Sequence, residues 1–135
     1  MKKTLIAAGA LALAASVLSI SPANADATGS ANVGSGSLLR SEFRQLVSGG
    51  GFYYDTWGAS TCTTGTSNQD YGKSSMPEGN WSDVVSFIRD LNSCDVKIFQ
   101  DTGYNVALTG YVNYGTTGRT VDDGLNNRTS SYYLS

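Results

Sequence analysis

The chain reads Phe99-Gln100-Asp101-Thr102-Gly103-Tyr104 and then, further on, Asn126-Asn127-Arg128-Thr129-Ser130-Ser131. A degenerate copy of this pair lies upstream and reads Phe52-Tyr53-Tyr54-Asp55-Thr56-Trp57, followed by Ser82-Asp83-Val84-Val85-Ser86-Phe87. Each pair joins an aromatic turn segment to a short polar cluster. We infer that one half-domain of the protein is used twice.

The segments around these pairs have the composition of an all-β protein. Aromatic and β-branched runs such as Val96–Phe99 and Val106–Leu108 are short and are separated by Gly, Asn, Asp and Ser, which is typical of strands joined by turns. Residues 100–105 lie between those two runs and are predicted to form a hairpin turn. Tyr132 and Tyr133 are predicted to lie in a last strand, with one ring inside the domain and the other outside.

Two segments differ from this pattern. Apolar side chains recur at helical spacing in residues 38–47, on a face formed by Leu39, Phe43, Leu46 and Val47. Because Gly49–Gly51 follows, a short amphipathic N-terminal helix is predicted here, with a flexible arm as the alternative. Residues 63–80 are almost wholly polar and contain Gly and Pro, which predicts a long exposed loop.

The chain begins with the features of a bacterial-type secretory signal. Met1-Lys2-Lys3 precedes an apolar run from Leu5 to Ile20, and the small-x-small pattern Ala23-Asn24-Ala25 follows. The run is short for a spanning helix and no stop-transfer charges follow it, so a retained anchor is the less favoured alternative. We expect residues 1–25 to be a signal peptide, removed after Ala25. The remaining chain is expected to be a secreted, extracellular protein of one small domain without membrane attachment.

Charge and cysteine content narrow the class of protein further. The formal net charge is −2 at pH 7, which provides no basic surface for nucleic acid, so nucleic acid is not an expected partner. Cys62 and Cys94 are the only cysteines. Because an exported chain meets an oxidising environment, we expect them to form a disulfide, with two free buried thiols as the alternative.

The chain contains no histidine, which removes several kinds of active site. Ser-His-Asp and Cys-His nucleophile systems and imidazole-containing zinc sites are impossible without it. A paired-carboxylate hydrolase would draw on Glu42, Glu78 or the aspartates, but no two of these stand in a context that indicates one neutral and one ionised carboxyl. The sequence therefore predicts a protein that is not an enzyme.

The repeated segments resemble the βγ-crystallin family as it occurs in secreted microbial proteins, including actinobacterial proteins described as peptidase inhibitors. The family's unit is a four-stranded Greek key with an aromatic-x-x-x-x-aromatic-x-Gly hairpin and a later N/D-N/D-x-x-S/T-S cluster, and two units pack as a sandwich. The resemblance covers residues 51–135 and implies motif one at 51–93 and motif two at 94–135. Residues 26–50 are then an N-terminal extension.

The hairpin parts of the pattern match incompletely. Phe99 and Tyr104 match the two aromatic positions of the second unit, although Val106 stands at the glycine position. In the first unit, Phe52 and Trp57 have the same separation, or a hairpin shortened by one residue starts at Tyr53. Both registers remain open at this point.

The polar clusters match better. Asn126, Asn127, Ser130 and Ser131 fill every defined position of the second cluster. In the first cluster, Asp83 and Ser86 match the second and fifth positions, whereas Ser82 and Phe87 miss the first and sixth.

The resemblance implies that these clusters bind calcium, with each ion taking ligands from both units. The implied side-chain ligands are Asn127 and Ser130 at one site, with Asn126 beside them, and Asp83 and Ser86 at the other. Backbone carbonyls are implied near Tyr54 or Gln100. Because carboxamides bring no charge, binding is expected to be weak, on the order of 10⁻⁴ to 10⁻³ M. The alternative is that these side chains only hold their own turns without a metal ion.

The function expected from these observations is a structural or binding role for a monomeric domain. A secreted peptidase inhibitor is the first alternative, in which the loop 63–80 presents Lys73 or Met76 to an extracellular protease. A toxin-like or envelope-active protein is the second alternative, which the same fold allows but no particular residue supports.

Overall fold

The computed structural model describes residues 26–66 and 68–135, which form short strands and one 3-10 turn at Thr102–Tyr104. The strands are β1 (Ala31–Gly34), β2 (Leu38–Arg44), β3 (Tyr53–Gly58), β4 (Tyr71–Lys73), β5 (Phe87–Asp90), β6 (Val96–Phe99), β7 (Arg119–Thr120) and β8 (Ser131–Leu134). The all-β class expected from the sequence is confirmed. The predicted signal peptide and its cleavage position at Ala25 lie outside the described residues.

The strands form two sheets. The larger sheet has the order β1-β3-β2-β5-β7 and the smaller has the order β4-β8-β6. β1 pairs with β3 in parallel, and the other strand pairs are antiparallel. Two bridges, Val96–Val112 and Phe99–Ala107, extend the smaller sheet beyond β6. The chain therefore changes sheet at β4 and at each strand that follows it.

A cluster of aromatic rings fills the space between the sheets. Tyr132 on β8 packs against Phe43 on β2, with ring centroids 4.6 Å apart, and against Tyr54 on β3 at 6.2 Å. Trp81 closes the cluster from the chain before β5, with its ring 5.8 Å from that of Tyr54. The expected alternation in the last strand is confirmed, because Tyr132 is fully buried and Tyr133 is half-buried.

The helix predicted over residues 38–47 is wrong, because most of that segment is strand β2. β2 pairs with β3 on one side and with β5 on the other, so each side of its backbone has a hydrogen-bonding partner strand. Phe43 points into the core, while Leu46 and Val47 lie exposed beyond the strand end. Residues 26–50 thus contribute β1 and β2 to the larger sheet. From here on, the first half includes β2 and the residues after it as well as 51–93. No helix in residues 26–66 and 68–135 has the length and apolar character needed to cross a membrane.

The two halves form equivalent hairpins, but the first lies elsewhere than predicted. In the second half, Gln100 N–H donates to the Val106 carbonyl across a turn, as expected. In the first half, the equivalent bond runs from Gln45 N–H to the Phe52 carbonyl. The run 52–57 that was aligned with 99–104 is therefore mostly strand β3, and neither predicted register holds. Strand pairing placed the turn before the aromatic run and not within it.

The expected disulfide joins Cys62 and Cys94, with their Cα atoms 4.9 Å apart. Cys62 follows β3 and Cys94 precedes β6, so the bond links the first half of the chain to the start of the second. Cys62 N–H also donates to the carbonyl of Asn92 at 3.0 Å. This backbone hydrogen bond lies within the first half, and the disulfide beside it adds the covalent link to the second half.

Candidate functional site

The two polar clusters lie against each other in the folded chain. The backbone N–H of Asp83 donates to the carbonyl of Thr129 at 2.9 Å, and the N–H of Asn127 donates to the carbonyl of Val85 at 3.0 Å. These two bonds are reciprocal, because each cluster gives one N–H to the other and receives one in return. The two clusters are therefore related by approximate twofold symmetry. We call the two places where side chains of different clusters meet the corners.

The second residue of each cluster has left-handed backbone dihedral angles. Asp83 has φ 60° and Asn127 has φ 55°. Asp and Asn adopt this conformation more readily than other non-glycine residues because their short polar side chains can bond locally. The second position of both clusters therefore has a backbone reason to be Asp or Asn, independent of any ligand.

The side chains of the corners pair between the two halves. Ser130 Oγ donates to Asp83 Oδ1 at 3.2 Å, and Ser86 Oγ donates to Asn127 Oδ1 at 3.0 Å. The sequence predicted Asn127 with Ser130 at one site and Asp83 with Ser86 at the other, whereas these hydrogen bonds join Asn127 to Ser86 and Asp83 to Ser130. The serine of each cluster therefore donates a hydrogen bond to the acid or amide side chain of the other cluster.

Backbone carbonyls of the two hairpins also reach the corners. Ser86 N–H donates to the carbonyl of Arg44, and Ser130 N–H donates to the carbonyl of Phe99, both at 2.9 Å. The residue that follows each carbonyl is Gln45 in the first half and Gln100 in the second. Gln100 therefore lies beside a corner.

Tyr54 is not placed beside a corner by these contacts, and Gln45 occupies the position expected for it. Tyr54 lies inside strand β3, where its ring is buried in the core and its hydroxyl donates to Glu78 Oε2 at 2.9 Å. Gln45 was not predicted as a site residue because residues 38–47 were predicted to form a helix. An alignment of β2 with β6 as strands would have made Gln45 equivalent to Gln100.

A groove of about 390 Å³ opens at the corner formed by Ser86 and Asn127. Its walls come from Asp26, Gln45, Leu46, Val47, Ser48, Val84, Ser86 and Asn127. Polar oxygens thus lie next to the exposed apolar tip of the first hairpin. At the other corner, the Arg128 guanidinium donates to Gln100 Oε1 and to the carbonyl of Gly124, so a cation covers the second hairpin.

Two further oxygens of the second cluster have unused bonding capacity. Asn126 Oδ1 and Thr129 Oγ1 are buried and have no hydrogen-bond partner within the described residues. Unpaired buried polar atoms are rare because each costs about 1 to 3 kcal/mol, and they indicate an ion, a water molecule or strain. In residues 26–66 and 68–135, no three His, Cys, Asp or Glu side chains come together in a way that could hold a metal.

The loop 63–80 does not present the two residues that were expected to contact a protease. Met76 is 0% exposed and belongs to the hydrophobic core. Lys73 lies in strand β4 and its ammonium group forms an ion pair with Glu78 Oε1 at 2.5 Å. Residues 63–66, 68 and 69 are exposed as expected, whereas much of the rest of the segment packs on the domain through β4 and Met76. Met76 is therefore not accessible to a protease in the folded domain.

A buried carboxyl pair lies on the larger sheet and was not predicted. Glu42 on β2 is opposite Asp55 on β3 and Arg89 on β5, and the two carboxyl residues are 4% and 8% exposed. Glu42 accepts an ion pair from Arg44 at 2.7 Å and one from Arg89 at 2.8 Å. Desolvation and the neighbouring charge of Glu42 raise the pKa of Asp55 to about 6, against the lowering effect of the two arginines. Because both Glu42 oxygens are held by arginines, we interpret the pair as structural.

Asp55→Asn is expected to stabilise the protein at neutral pH. Because the pKa of Asp55 is higher in the folded protein than in the unfolded chain, binding of a proton by Asp55 stabilises the folded state. This stabilisation is fully present below about pH 4 and is lost as the pH rises through about 6. The free energy of unfolding of the variant should then be higher than that of the wild type by up to about 3 kcal/mol at pH 7, and the two should be equal near pH 4. Urea unfolding across this pH range measures the difference.

The exposed turn residue Asp123 offers the matched control for this measurement. Asp123→Asn should change the free energy of unfolding by less than about 0.5 kcal/mol at either pH. A constant gap between Asp55→Asn and wild type at all pH values, or a loss of stability at pH 7, would contradict the assignment of Asp55 as the titrating group.

Comparison with known proteins identifies no relative. No protein-family model, no curated protein and no solved structure matches this chain. Any function must therefore be inferred from the geometry of the two corners and from the residues that line them.

Proposed function

We propose that this protein is a secreted, non-enzymatic βγ-crystallin-like domain that binds calcium weakly at its two corners and is stabilised by it. The observation that carries the proposal is the reciprocal pairing of Ser130 with Asp83 and of Ser86 with Asn127. Two oxygen-bearing side chains from different halves meet at each corner, next to a hairpin. An ion bound there would hold the halves together.

The strand order supports two Greek-key units. In a Greek key, the fourth strand returns to lie beside the first. In the first half, the fourth strand β5 lies beside the first strand β2, which in turn lies beside β3. In the second half, β8 lies beside β6. β4 and β7 each join the sheet of the opposite half, which interlocks the units.

The donor chemistry of the corners supports calcium as the ion. Calcium takes oxygen ligands from carboxylates, carboxamides and backbone carbonyls. Asp83 and Asn127 supply the first two kinds, and Asn126 Oδ1 and Thr129 Oγ1 are buried oxygens that still lack a partner within the described residues. Low charge favours weak affinity, on the order of 10⁻⁴ to 10⁻³ M, and the cation of Arg128 lowers it further.

Export is part of the same proposal. The signal-peptide pattern of residues 1–25 supports it, and the Cys62–Cys94 disulfide is compatible with an oxidising compartment. The intact mass of secreted protein should correspond to a chain that begins at Asp26.

Calcium at about 10 mM is expected to raise the free energy of unfolding by about 1 to 3 kcal/mol for each site. Titration calorimetry measures binding, and thermal or urea unfolding measures the stabilisation. Ser86→Ala and Ser130→Ala should each weaken binding at one corner, because each removes a hydroxyl oxygen there. Ser35→Ala, in the loop between β1 and β2, is the matched control and should bind as the wild type does.

Magnesium provides a control for the ion. It demands octahedral geometry and dehydrates reluctantly, so irregular corners should not bind it in the same range. If millimolar calcium gives neither heat nor a shift in unfolding, the calcium proposal fails and the corners act only as turns.

A further inference from the structure

The two corners differ in their own charge. The corner of Asp83 and Ser130 includes a carboxylate, whereas the side chains of Asn127 and Ser86 bring only neutral oxygens to the other corner. The groove at the second of these corners has one acidic residue in its wall, Asp26. Asp26 lies far from both clusters in sequence and belongs to no part of the repeated pattern.

The structure holds Asp26 at this groove by several contacts. Its Oδ1 accepts a hydrogen bond from Gln45 Nε2 at 3.1 Å, and its carbonyl accepts one from Asn80 Nδ2 at 3.3 Å. The next residue, Ala27, is buried in the core, and Thr28 N–H donates to the carbonyl of Gly79 at 2.8 Å. Asp26 is therefore anchored from both its side chain and its backbone.

The partner of Asp26 connects it to the corner. Gln45 directly follows Arg44, whose carbonyl accepts the N–H of Ser86 at 2.9 Å. Gln45, Ser86 and Asn127 line the same groove as Asp26. Asp26 is exposed, so its carboxylate is accessible to an ion that enters the groove.

We propose that Asp26 supplies the carboxylate ligand for a divalent cation at the corner of Asn127 and Ser86. This inference rests on the proposed calcium binding and adds a ligand from outside the repeated halves. With Asp26 included, each corner has one carboxylate, one serine hydroxyl and a nearby hairpin. Each site then has one carboxylate ligand, and the Arg128 cation beside the corner of Asp83 and Ser130 should make that site the weaker of the two.

The test compares the secreted wild-type protein with Asp26→Asn, Asp83→Asn and the double variant by calcium titration calorimetry. Asparagine keeps an oxygen that can accept the Gln45 bond, so the substitution isolates the loss of charge. The wild type should bind two ions. Each single variant should lose at least about tenfold in affinity at one site and keep the other, and the double variant should lose both.

A double-mutant cycle assigns Asp26 to its corner. Asp26→Asn combined with Ser86→Ala should be non-additive, because both changes act on one ion. Asp26→Asn combined with Ser130→Ala should be additive, because the changes act on different ions. Additivity in both combinations would overturn the assignment of Asp26 to the Ser86 corner.

The titrations are run at neutral pH and again near pH 9. If export leaves Asp26 as the first residue, an α-ammonium group, with an ordinary pKa of about 8, lies beside the carboxylate at neutral pH and is lost at the higher pH. Two ions bound by the wild type with unchanged binding by Asp26→Asn at both pH values would overturn this inference and leave the calcium proposal intact. An absence of binding by the wild type would instead overturn the calcium proposal.

Discussion

Tyr132→Ala is expected to lower the free energy of unfolding by about 3 to 5 kcal/mol, the range found when a large buried aromatic side chain is removed. Tyr132 is 0% exposed and lies between the sheets, in contact with Phe43, Tyr54 and Tyr71. Its ring contacts Phe43 and Tyr54 of the larger sheet, so the substitution would leave a cavity between the two layers. Urea unfolding followed by aromatic fluorescence measures the loss.

Tyr132→Phe separates the ring from its hydroxyl group. The hydroxyl lies 2.5 Å from Thr56 Oγ1, and both residues are buried. Removing the hydroxyl leaves Thr56 without this partner and should cost about 1 to 3 kcal/mol. Leu46→Ala, at an apolar residue that is 49% exposed, is the control and should change stability by less than about 0.5 kcal/mol. A loss below 1 kcal/mol for Tyr132→Ala would contradict the aromatic core described above.

Removal of the disulfide is expected to cost about 3 to 4 kcal/mol. The bond joins residues 32 positions apart, and a loop of this size restricts the unfolded chain by roughly that free energy in the chain-entropy model. Both cysteines are buried, so the Cys62→Ala/Cys94→Ala variant keeps small apolar groups in the core. Chemical unfolding of the variant, and of wild type with and without reductant, measures the cost.

The single variants provide the internal control for this prediction. Cys62→Ala and Cys94→Ala each break the same bond, so each should lose most of the stability that the double variant loses. If their losses instead add to give the loss of the double variant, packing at each site and not the covalent link would be the cause.

Local patterns were sufficient where one segment decides its own conformation. The second hairpin turns at residues 100–106 as expected from its Asp and Gly content. Tyr132 and Tyr133 alternate between core and surface because successive side chains of a strand point to opposite faces. The cysteine pair followed from the number of cysteines and the expected compartment.

Local patterns failed where a distant partner decides the conformation. Residues 38–47 have apolar spacing that also fits a helix, and only the presence of β3 and β5 on either side makes β2 a strand. Met76 lies in a polar segment, yet the fold places it in the core. Glu42 and Asp55 are separated in sequence and become a pair only through strand register.

The amino-acid sequence by itself determined the all-β class, the absence of histidine-based chemistry, the disulfide partners and the residues of the two polar clusters. Only the tertiary structure decided that Ser130 meets Asp83, that Ser86 meets Asn127, and that Gln45 and Asp26 lie beside the second of these pairs. The physical reason is that composition and turn preference act over a few neighbouring residues. Pairing across an interface depends on how two distant chain segments register against each other when they pack.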